Sequence, residues 1–275
     1  MRALVQRQAF TLVELLVVIA IIGILISMLL PALGTVRARA QAVKCQVNLS
    51  SIAKAMYTYS RQGLLPKGID TEKRHTGLTA LLPYLEGRNL FDQFDFDMPV
   101  DDSPPVTATT FPAYLCPSDR PTGTWTSAGG GTYSRSNYVM CFGAGGLEAS
   151  TDNAGVFRLD RMSSFTAMNR DGATNTAMLS EVVAGVGSEP GGTWAYGDAG
   201  ASAYTHKSPP NSGPHILVDS GVDWPDAEGV ASSHHTGGVH VVFGDGHVEF
   251  INETISPDVW TAYGTAAGQE PVFAP

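Results

Sequence analysis

The feature that most constrains this chain is an apolar run near its N-terminus, residues 10–33, which contains a single carboxylate, Glu14. A run of this length and composition is typical of a helix that crosses a membrane. A charge at the centre of a bilayer costs about 2.5 to 3.5 kcal/mol, so a carboxylate in such a helix is usually functional. No Lys or Arg lies between Phe10 and Thr35, so we expect a cation from outside this segment to meet Glu14.

The residues around Glu14 resemble the processing site of type IV prepilins and pseudopilins. The string is AFTLVELL, and a short basic leader, residues 1–9, ends at its first residue. The resemblance implies that a membrane peptidase cuts between Ala9 and Phe10, that the new N-terminal Phe10 is methylated, and that Glu14 supports assembly. Ala9 stands where this family usually has Gly, and since Ala is also small we expect cleavage there.

An ordinary secretory signal and a plain transmembrane anchor are the two alternatives to this interpretation. The first would be cut at the Ala-x-Ala site of residues 38–40, but the apolar run exceeds the usual 7 to 15 residues and contains Glu14. The second leaves Glu14 unexplained, and residues 15–30 alone are short for a hydrocarbon core about 30 Å thick.

Composition and charge exclude one class of function. The chain has 275 residues, a formal net charge of −9 and only 17 Lys and Arg, which form no basic stripe. Nucleic-acid binding is therefore not expected. The region after the apolar helix is long enough to bury one substantial core, and its acidic balance fits a soluble, exposed head.

Helical periodicity continues beyond the apolar run. Apolar side chains recur at helical spacing on one face, and they are Cys45, Leu49, Ile52, Met56 and Tyr59. The pattern predicts a helix from about Thr11 to about Ser60, ended by Gly63 and Pro66.

The predicted fold class is α+β and pilin-like, with a long N-terminal hydrophobic helix packed on a β-rich head with long loops. The predicted parts are a leader (1–9), a transmembrane or filament-core helix (10–33), an amphipathic stalk helix (34–62) and a globular head with a C-terminal hairpin (63–275).

Within the head, alternating or continuous apolar residues predict strands at 138–142 and 176–183, whereas residues 118–137 are predicted to form a flexible loop. The clearest pattern is at residues 239–251, where Asp245-Gly246 is the signal of a two-residue hairpin turn with left-handed backbone angles. That turn would pair Phe243 with Val248 and Val241 with Phe250, all on one face. A short helix is expected after Ser256-Pro257.

His235 and Asp245-Gly246 match the H-x(9)-D-G motif of a pilin-like family that has the same prepilin-type N-terminus. The resemblance extends over much of the chain, with LLPYLE at 81–86, LCPSD at 115–119, SNYV at 136–139 and DGATNT at 171–176. One interpretation of His235 and Asp245 is a metal site or an acid–base pair. The favoured interpretation is that Asp245 shapes a turn and His235 hydrogen-bonds the loop, because Asp-Gly turns need no ligand.

The three cysteines predict one disulfide if the head is exported to an oxidising compartment. Cys116 and Cys141 both lie in the head and flank a loop, so we expect a bridge between them. Cys45 lies on the helix stripe and is expected to be a buried, reduced thiol.

Signatures of metal binding and catalysis are missing from the sequence. No H-E-x-x-H or Cys/His quartet occurs, and the acidic segment at 92–102 does not have EF-hand spacing, so a solvated loop is favoured there. No G-x-S-x-G motif or phosphate loop is present either. The sequence therefore predicts no catalysis, no metal and no cofactor.

Together these patterns favour a type IV pilin-like structural subunit that a prepilin peptidase processes and that assembles through its N-terminal helix into a surface fibre or pseudopilus. The resemblance implies four kinds of partner: copies of the chain, the peptidase, the pilus or secretion assembly machinery, and the membrane. It also implies a single-pass protein of the cytoplasmic membrane with its head outside, and later an extracellular fibre or periplasmic pseudopilus. The alternatives are a minor pseudopilin of a type II secretion-like system and a membrane-tethered metal-dependent hydrolase.

Overall fold

The computed structural model of the chain describes residues 12–102, 105–119, 123–147, 154–169, 171–185, 191–198, 200–213 and 228–268. Two compact units are present, Met1–Gln41 and Ala42–Pro275. The predicted leader and the predicted cleavage bond between Ala9 and Phe10 lie outside the described residues.

The first unit contains the N-terminal part of helix α1, which spans Leu12–Tyr59. Its apolar side chains are exposed, and an 18-residue window has a mean hydropathy of 3.0. By length and composition this helix is able to cross a membrane. Pro31 lies inside the helix, and Glu14 lies in the first turn of its described part.

In the second unit, the C-terminal part of α1 contributes one face to the core of the head. Cys45, Leu49, Ile52 and Met56 are fully buried, and Tyr59 packs against them, so the predicted stripe is confirmed. The helix continues as a 3₁₀ turn, Ser60–Gln62, and then ends. Gly63 has a φ of 97°, and its N–H donates to the carbonyl of Ser60 at 2.7 Å. This left-handed cap explains why the helix ends at the predicted glycine.

The rest of the head is a β-rich layer with short helices. The strands formed by the described residues are β1 (Thr124–Thr126), β2 (Thr132–Ser134), β3 (Tyr138–Cys141), β4 (Ala177–Glu181), β5 (Ala203–Tyr204), β6 (Gly238–Phe243) and β7 (Val248–Asn252). The α-helices are α2 (Gly77–Leu81), α3 (Arg88–Phe91) and α4 (Pro257–Gly264). Further 3₁₀ turns are Leu82–Tyr84, Val100–Asp102, Pro105–Ala108, Pro112–Tyr114 and Phe165–Asn169. The α+β fold class is confirmed.

The main sheet has the strand order β5-β3-β4-β6-β7, and its two faces belong to different cores. Neighbouring strands are antiparallel except β3 and β5, which are parallel. Because side chains alternate along a strand, Tyr138 and Met140 of β3 join the core that contains α1. Val139 and Cys141 point the other way, into a second core that α4 covers with Trp260.

The predicted C-terminal hairpin is present, but its predicted register is wrong by one residue. Val242 lies opposite Val248 and His240 lies opposite Phe250, so these pairs share one face, while Val241 faces Glu249. Gly244 joins the turn, which becomes a three-residue loop closed by an N–H···O bond of 3.0 Å from Phe243 to His247. A three-residue loop needs one left-handed residue rather than two. Gly246, with a φ of 87°, takes that role, and Asp245 does not.

The turn gives a direct test with a matched control. Gly246 and Gly237 both have a φ of 87°. A Cβ on Gly246 would lie 2.9 Å from Cε2 of Tyr57, whereas the nearest atom to one on Gly237 is 3.9 Å away. Both Ala substitutions should therefore destabilise the head by about 1 kcal/mol through backbone strain, and Gly246→Ala should cost more. Denaturant unfolding measures both, and equal losses would mean that Tyr57 does not restrict the turn.

Residues 118–137, predicted as a flexible loop, contain a packed hairpin instead. β1 and β2 pair antiparallel, with Trp125 opposite Tyr133. Both rings pack against Tyr196, with centroids 5.0 and 4.9 Å away, and Tyr133 is fully buried. The burial of these aromatic rings outweighs the turn-forming composition of the segment.

Candidate functional site

A disulfide joins the long helix to the head, between Cys45 of α1 and Cys116. The two Cα atoms are 5.1 Å apart, and 71 positions separate the residues in sequence. The predicted Cys116–Cys141 bridge is therefore wrong. Cys141 lies on the opposite face of the sheet, among the second core, and its thiol is free. Burial raises the pKa of Cys141 to about 12, so it is an unreactive thiol.

Polar side chains from two different parts of the chain hold Cys116 in place. Asn48 of α1 donates to the carbonyl of Leu115 at 2.8 Å. The side-chain oxygen of Asn137 accepts from the backbone N–H of Cys116 at 2.9 Å, and its amide donates to Asp119 at 2.7 Å. The segments LCPSD and SNYV, singled out in the sequence, therefore meet beside the disulfide.

His235, from the segment before β6, completes this cluster. Its Nε2 lies 3.5 Å from Sγ of Cys116 and donates to Oε1 of Glu181 at 3.2 Å. Its Nδ1 lies 3.3 Å from the hydroxyl oxygen of Ser118. The predicted motif residue is thus placed against the disulfide by contacts on both ring nitrogens.

Glu181, the last residue of β4, is the centre of the polar contacts. Its side chain is 2% exposed, and its Oε2 accepts the backbone N–H of His240 at 2.9 Å and lies 3.2 Å from Nδ1 of the same residue. Burial alone would raise the pKa of the Glu181 carboxyl, but hydrogen bonds from His235 and His240 hold it below its usual value. The carboxylate is therefore kept charged inside the head by two imidazoles.

Sequence reasoning missed Glu181 because it lies within an apolar strand. The hydrophobic side chains of residues 176–183 predict a strand, and one carboxylate does not change that pattern. The signal that points to Glu181 is the carboxylate itself, since Glu is almost never fully buried without a partner.

The two halves of the H-x(9)-D-G motif lie at opposite ends of β6. His235 precedes the strand and Asp245 follows it. The five steps of about 3.3 Å between the six residues of β6 put roughly 17 Å between the strand ends. Asp245 accepts the backbone N–H of His247 at 3.0 Å, and its own N–H donates to Ala173 at 3.1 Å. The structure therefore does not bring His235 and Asp245 together, and the DGATNT segment supports the turn instead.

Basic and hydroxyl side chains contact the acidic segment. Arg88 donates to Asp92 at 2.9 Å, and Lys73 lies 3.6 Å from Asp97. Asp101 accepts from the hydroxyl of Tyr133 at 2.8 Å and from Ser127. These three carboxylates therefore connect the segment to itself and to the rest of the head.

The cluster brings together four buried side chains that have atoms able to bind a metal ion. The sulfurs of Cys45 and Cys116, a carboxylate oxygen of Glu181 and a ring nitrogen of His235 all lie within 4.8 Å of one another. All four residues are buried. Such an arrangement is suited to structure or to holding an ion, because no bulky substrate reaches it.

Comparison with known proteins agrees with the two signals found in the sequence. Residues 5–30 match the family described as "Prokaryotic N-terminal methylation motif", and residues 35–258 match the family described as "Protein of unknown function (DUF1559)". Neither the comparison with curated proteins nor the comparison with solved structures gives a match. The second family match covers most of the chain and contains the whole cluster. The chain is therefore a member of the DUF1559 family that carries a prepilin-type N-terminal methylation motif.

Proposed function

We propose that this protein is a structural subunit of a type IV pilin-like fibre or pseudopilus. The observation that carries the proposal is the prepilin-type motif, which is joined to a helix whose apolar side chains are exposed over residues 12–33. Exposed apolar surface of this extent needs a bilayer or other copies of the helix to cover it. A peptidase first cuts before Phe10, and the helix then leaves the lipid for the core of an assembly.

The disulfide supports an exported head. Disulfides persist in oxidising compartments and are rare in the cytosol. The Cys45–Cys116 bond lies in the unit that starts at Ala42, which fits a topology with the leader in the cytoplasm and the head outside. Self-assembly, the prepilin peptidase and the assembly machinery are the partners of this proposal.

The membrane-tethered hydrolase is the less favoured candidate. His235 and Asp245, which it would use, lie at opposite ends of β6. The residues that do surround His235 are buried, and Glu181 is one of them. A hydrolytic site has to admit its substrate, so burial of this set favours a structural role.

Glu14→Ala tests the proposal. The substitution should leave membrane insertion and the mature N-terminus at Phe10 unchanged, yet it should abolish or strongly reduce crosslinked multimers in cells. The physical reason is that a carboxylate in an apolar helix gains most from a cation supplied by a neighbouring copy. The new amine of Phe10 is that cation, and the pairing would set the axial register of the assembly.

Ser27→Ala is the matched control, since Ser27 is an exposed polar residue of the same helix whose hydroxyl donates to the carbonyl of Ile24, within the helix itself. It should assemble like the wild type. Mass spectrometry of the mature chain reports processing in both variants. Normal multimers in the Glu14→Ala chain would contradict the assembly role, and a mature chain that begins at Gln41 would instead favour a secretory signal.

A further inference from the structure

The donor set around the disulfide has the composition of a zinc site. Zinc in proteins is held by thiolate, imidazole and carboxylate ligands in a tetrahedral arrangement, at about 2.0 to 2.3 Å from each donor atom. Ligand atoms of such a site are therefore roughly 3.3 to 3.8 Å apart. The donor atoms of Cys45, Cys116, Glu181 and His235 lie within 4.8 Å of one another, so small side-chain shifts bring them onto one ion.

The imidazole is already oriented as a ligand. Nε2 of His235 points toward Sγ of Cys116 and Oε1 of Glu181, at 3.5 and 3.2 Å. The other nitrogen, Nδ1, lies 3.3 Å from the hydroxyl oxygen of Ser118. A histidine that binds a metal usually donates its second N–H to a neighbouring acceptor, which fixes the ring. The hydroxyl of Ser118 accepts that proton when Nε2 binds the ion, and donates to Nδ1 when Nε2 carries the proton.

The carboxylate is oriented in the same way. The backbone N–H of His240 donates to Oε2 of Glu181 at 2.9 Å. The other oxygen, Oε1, lies 3.2 Å from Nε2 of His235 and 3.3 Å from Nδ1 of His240. Glu181 ends a central strand and Cys45 lies on a buried helix face. Two of the four donors are thus fixed by regular elements, α1 and β4, which favours a defined coordination geometry.

The disulfide decides whether the site exists. A sulfur bound to another sulfur is not a thiolate ligand, so the oxidised head lacks two of the four donors. Once the bond is reduced, two thiols face a carboxylate and an imidazole in a buried space. A divalent cation that takes two thiolates and one carboxylate offsets two of the three buried negative charges, which would otherwise be costly.

We propose that the head binds one Zn²⁺ through Cys45, Cys116, His235 and Glu181 when Cys45 and Cys116 are dithiol, and releases it when they form the disulfide. Reduction by a phosphine transfers two electrons from phosphorus to the S–S bond, and the phosphine leaves as its oxide with oxygen from water. Zn²⁺ then displaces the two thiol protons to solvent and keeps its oxidation state. Oxidation by the disulfide of a thiol–disulfide oxidoreductase reverses the exchange, and that disulfide accepts the two electrons. The proposal does not depend on fibre assembly.

The test uses the full chain in detergent micelles, oxidised or reduced with a phosphine, and dialysed against Zn²⁺. Metal analysis should find one zinc per reduced chain and none per oxidised chain. Co²⁺ replaces Zn²⁺ as a spectroscopic probe, and the reduced chain should give a sulfur-to-cobalt charge-transfer band with the strong visible bands of a tetrahedral site. Zinc on the oxidised chain, or none on the reduced chain, would overturn the proposal.

Variants assign the ligands. Cys116→Ser should abolish the charge-transfer intensity of one thiolate. Glu181→Gln should weaken zinc binding at least tenfold. Ser118→Ala should weaken it by a similar factor, because the imidazole of His235 loses the hydroxyl that orients it. Cys141→Ser is the matched control, because it removes a buried thiol outside the cluster, and it should bind like the wild type.

Near-ultraviolet circular dichroism shows whether the reduced head is still folded. If reduction alone loosens the head, added Zn²⁺ should restore the folded signal, because binding to a structural site stabilises the fold. Failure of zinc to restore it, or equal zinc affinity of the wild type and Glu181→Gln, rules the assignment out.

Discussion

Breaking the Cys45–Cys116 disulfide is expected to lower the free energy of unfolding of the head by about 4 kcal/mol. In the chain-entropy description, a disulfide stabilises by restricting the unfolded state, and the effect grows with the length of the loop that it closes. The two cysteines are 71 positions apart, so the loop is long. A loss of this size is a large part of the 5 to 15 kcal/mol that typically stabilises a domain.

Denaturant unfolding of the Cys45→Ala/Cys116→Ala chain measures this loss, because the variant has neither the disulfide nor the two thiols. Cys141→Ala is the control, because it removes one buried sulfur from the second core without opening a loop, and it should cost only about 1 kcal/mol. Alkylation of the native oxidised chain should label neither Cys45 nor Cys116. Labelling of Cys45 in a folded chain would contradict the pairing.

The second large effect is a loss of stability in acid that is due to His206. This residue is fully buried, its Nδ1–H donates to the carbonyl of Trp260 at 2.6 Å, and the hydroxyl of Tyr204 donates to its Nε2 at 3.0 Å. Its ring also stacks on Trp260 with centroids 3.7 Å apart. Burial lowers the pKa of His206 from 6.5 to about 3, so the folded head holds it neutral.

The sign of the pH effect follows from where the proton binds. Below about pH 6.5 the unfolded chain takes up a proton on this imidazole and the folded head does not, so stability falls as the pH falls toward 3. Between pH 7.5 and 4.5 the loss should be about 2.5 kcal/mol. His206→Gln should flatten the acid limb of the stability curve by that amount.

Tyr263→Phe is the matched control for this titration. Tyr263 lies in α4 and packs edge-on against Phe243. Removing its hydroxyl leaves the imidazole of His206 in the protein. Its variant should keep the acid slope of the wild type. Denaturant unfolding at a series of pH values gives both slopes, and an unchanged slope in His206→Gln would show that other groups control the acid limb.

The elements that sequence predicts well are those whose signal is local. The long helix and its buried stripe follow from the spacing of Cys45, Leu49, Ile52 and Met56, because residues three or four positions apart lie on one face of a helix. Strands β3 and β4 and helix α4 lie where apolar runs and Ser256-Pro257 indicate them. These patterns need no knowledge of distant residues.

What the sequence does not predict depends on long-range packing. The partner of Cys116 was unpredictable because Asn48 and Asn137, from distant segments, position it. Side chains of β3 point alternately to the two faces of the sheet. Which of these faces Cys141 lies on is known only once the position of α1 is known. The hairpin register was misjudged because Gly244 enters the turn, and a shift of one residue exchanges the two faces of β7.

The disulfide also determines the route by which tension enters the head. Cys45 lies near the start of the head unit, Ala42–Pro275. A force applied along the N-terminal helix therefore acts on Cys45 before it acts on residues 46–59. From there a covalent path leads directly to Cys116. The disulfide carries the force past residues 46–59, so the non-covalent contacts of this segment are not broken one after another. With the disulfide formed, load passes through covalent bonds from Cys45 to Cys116, in the middle of the chain. Without it, the contacts of the helix with the head would break one after another.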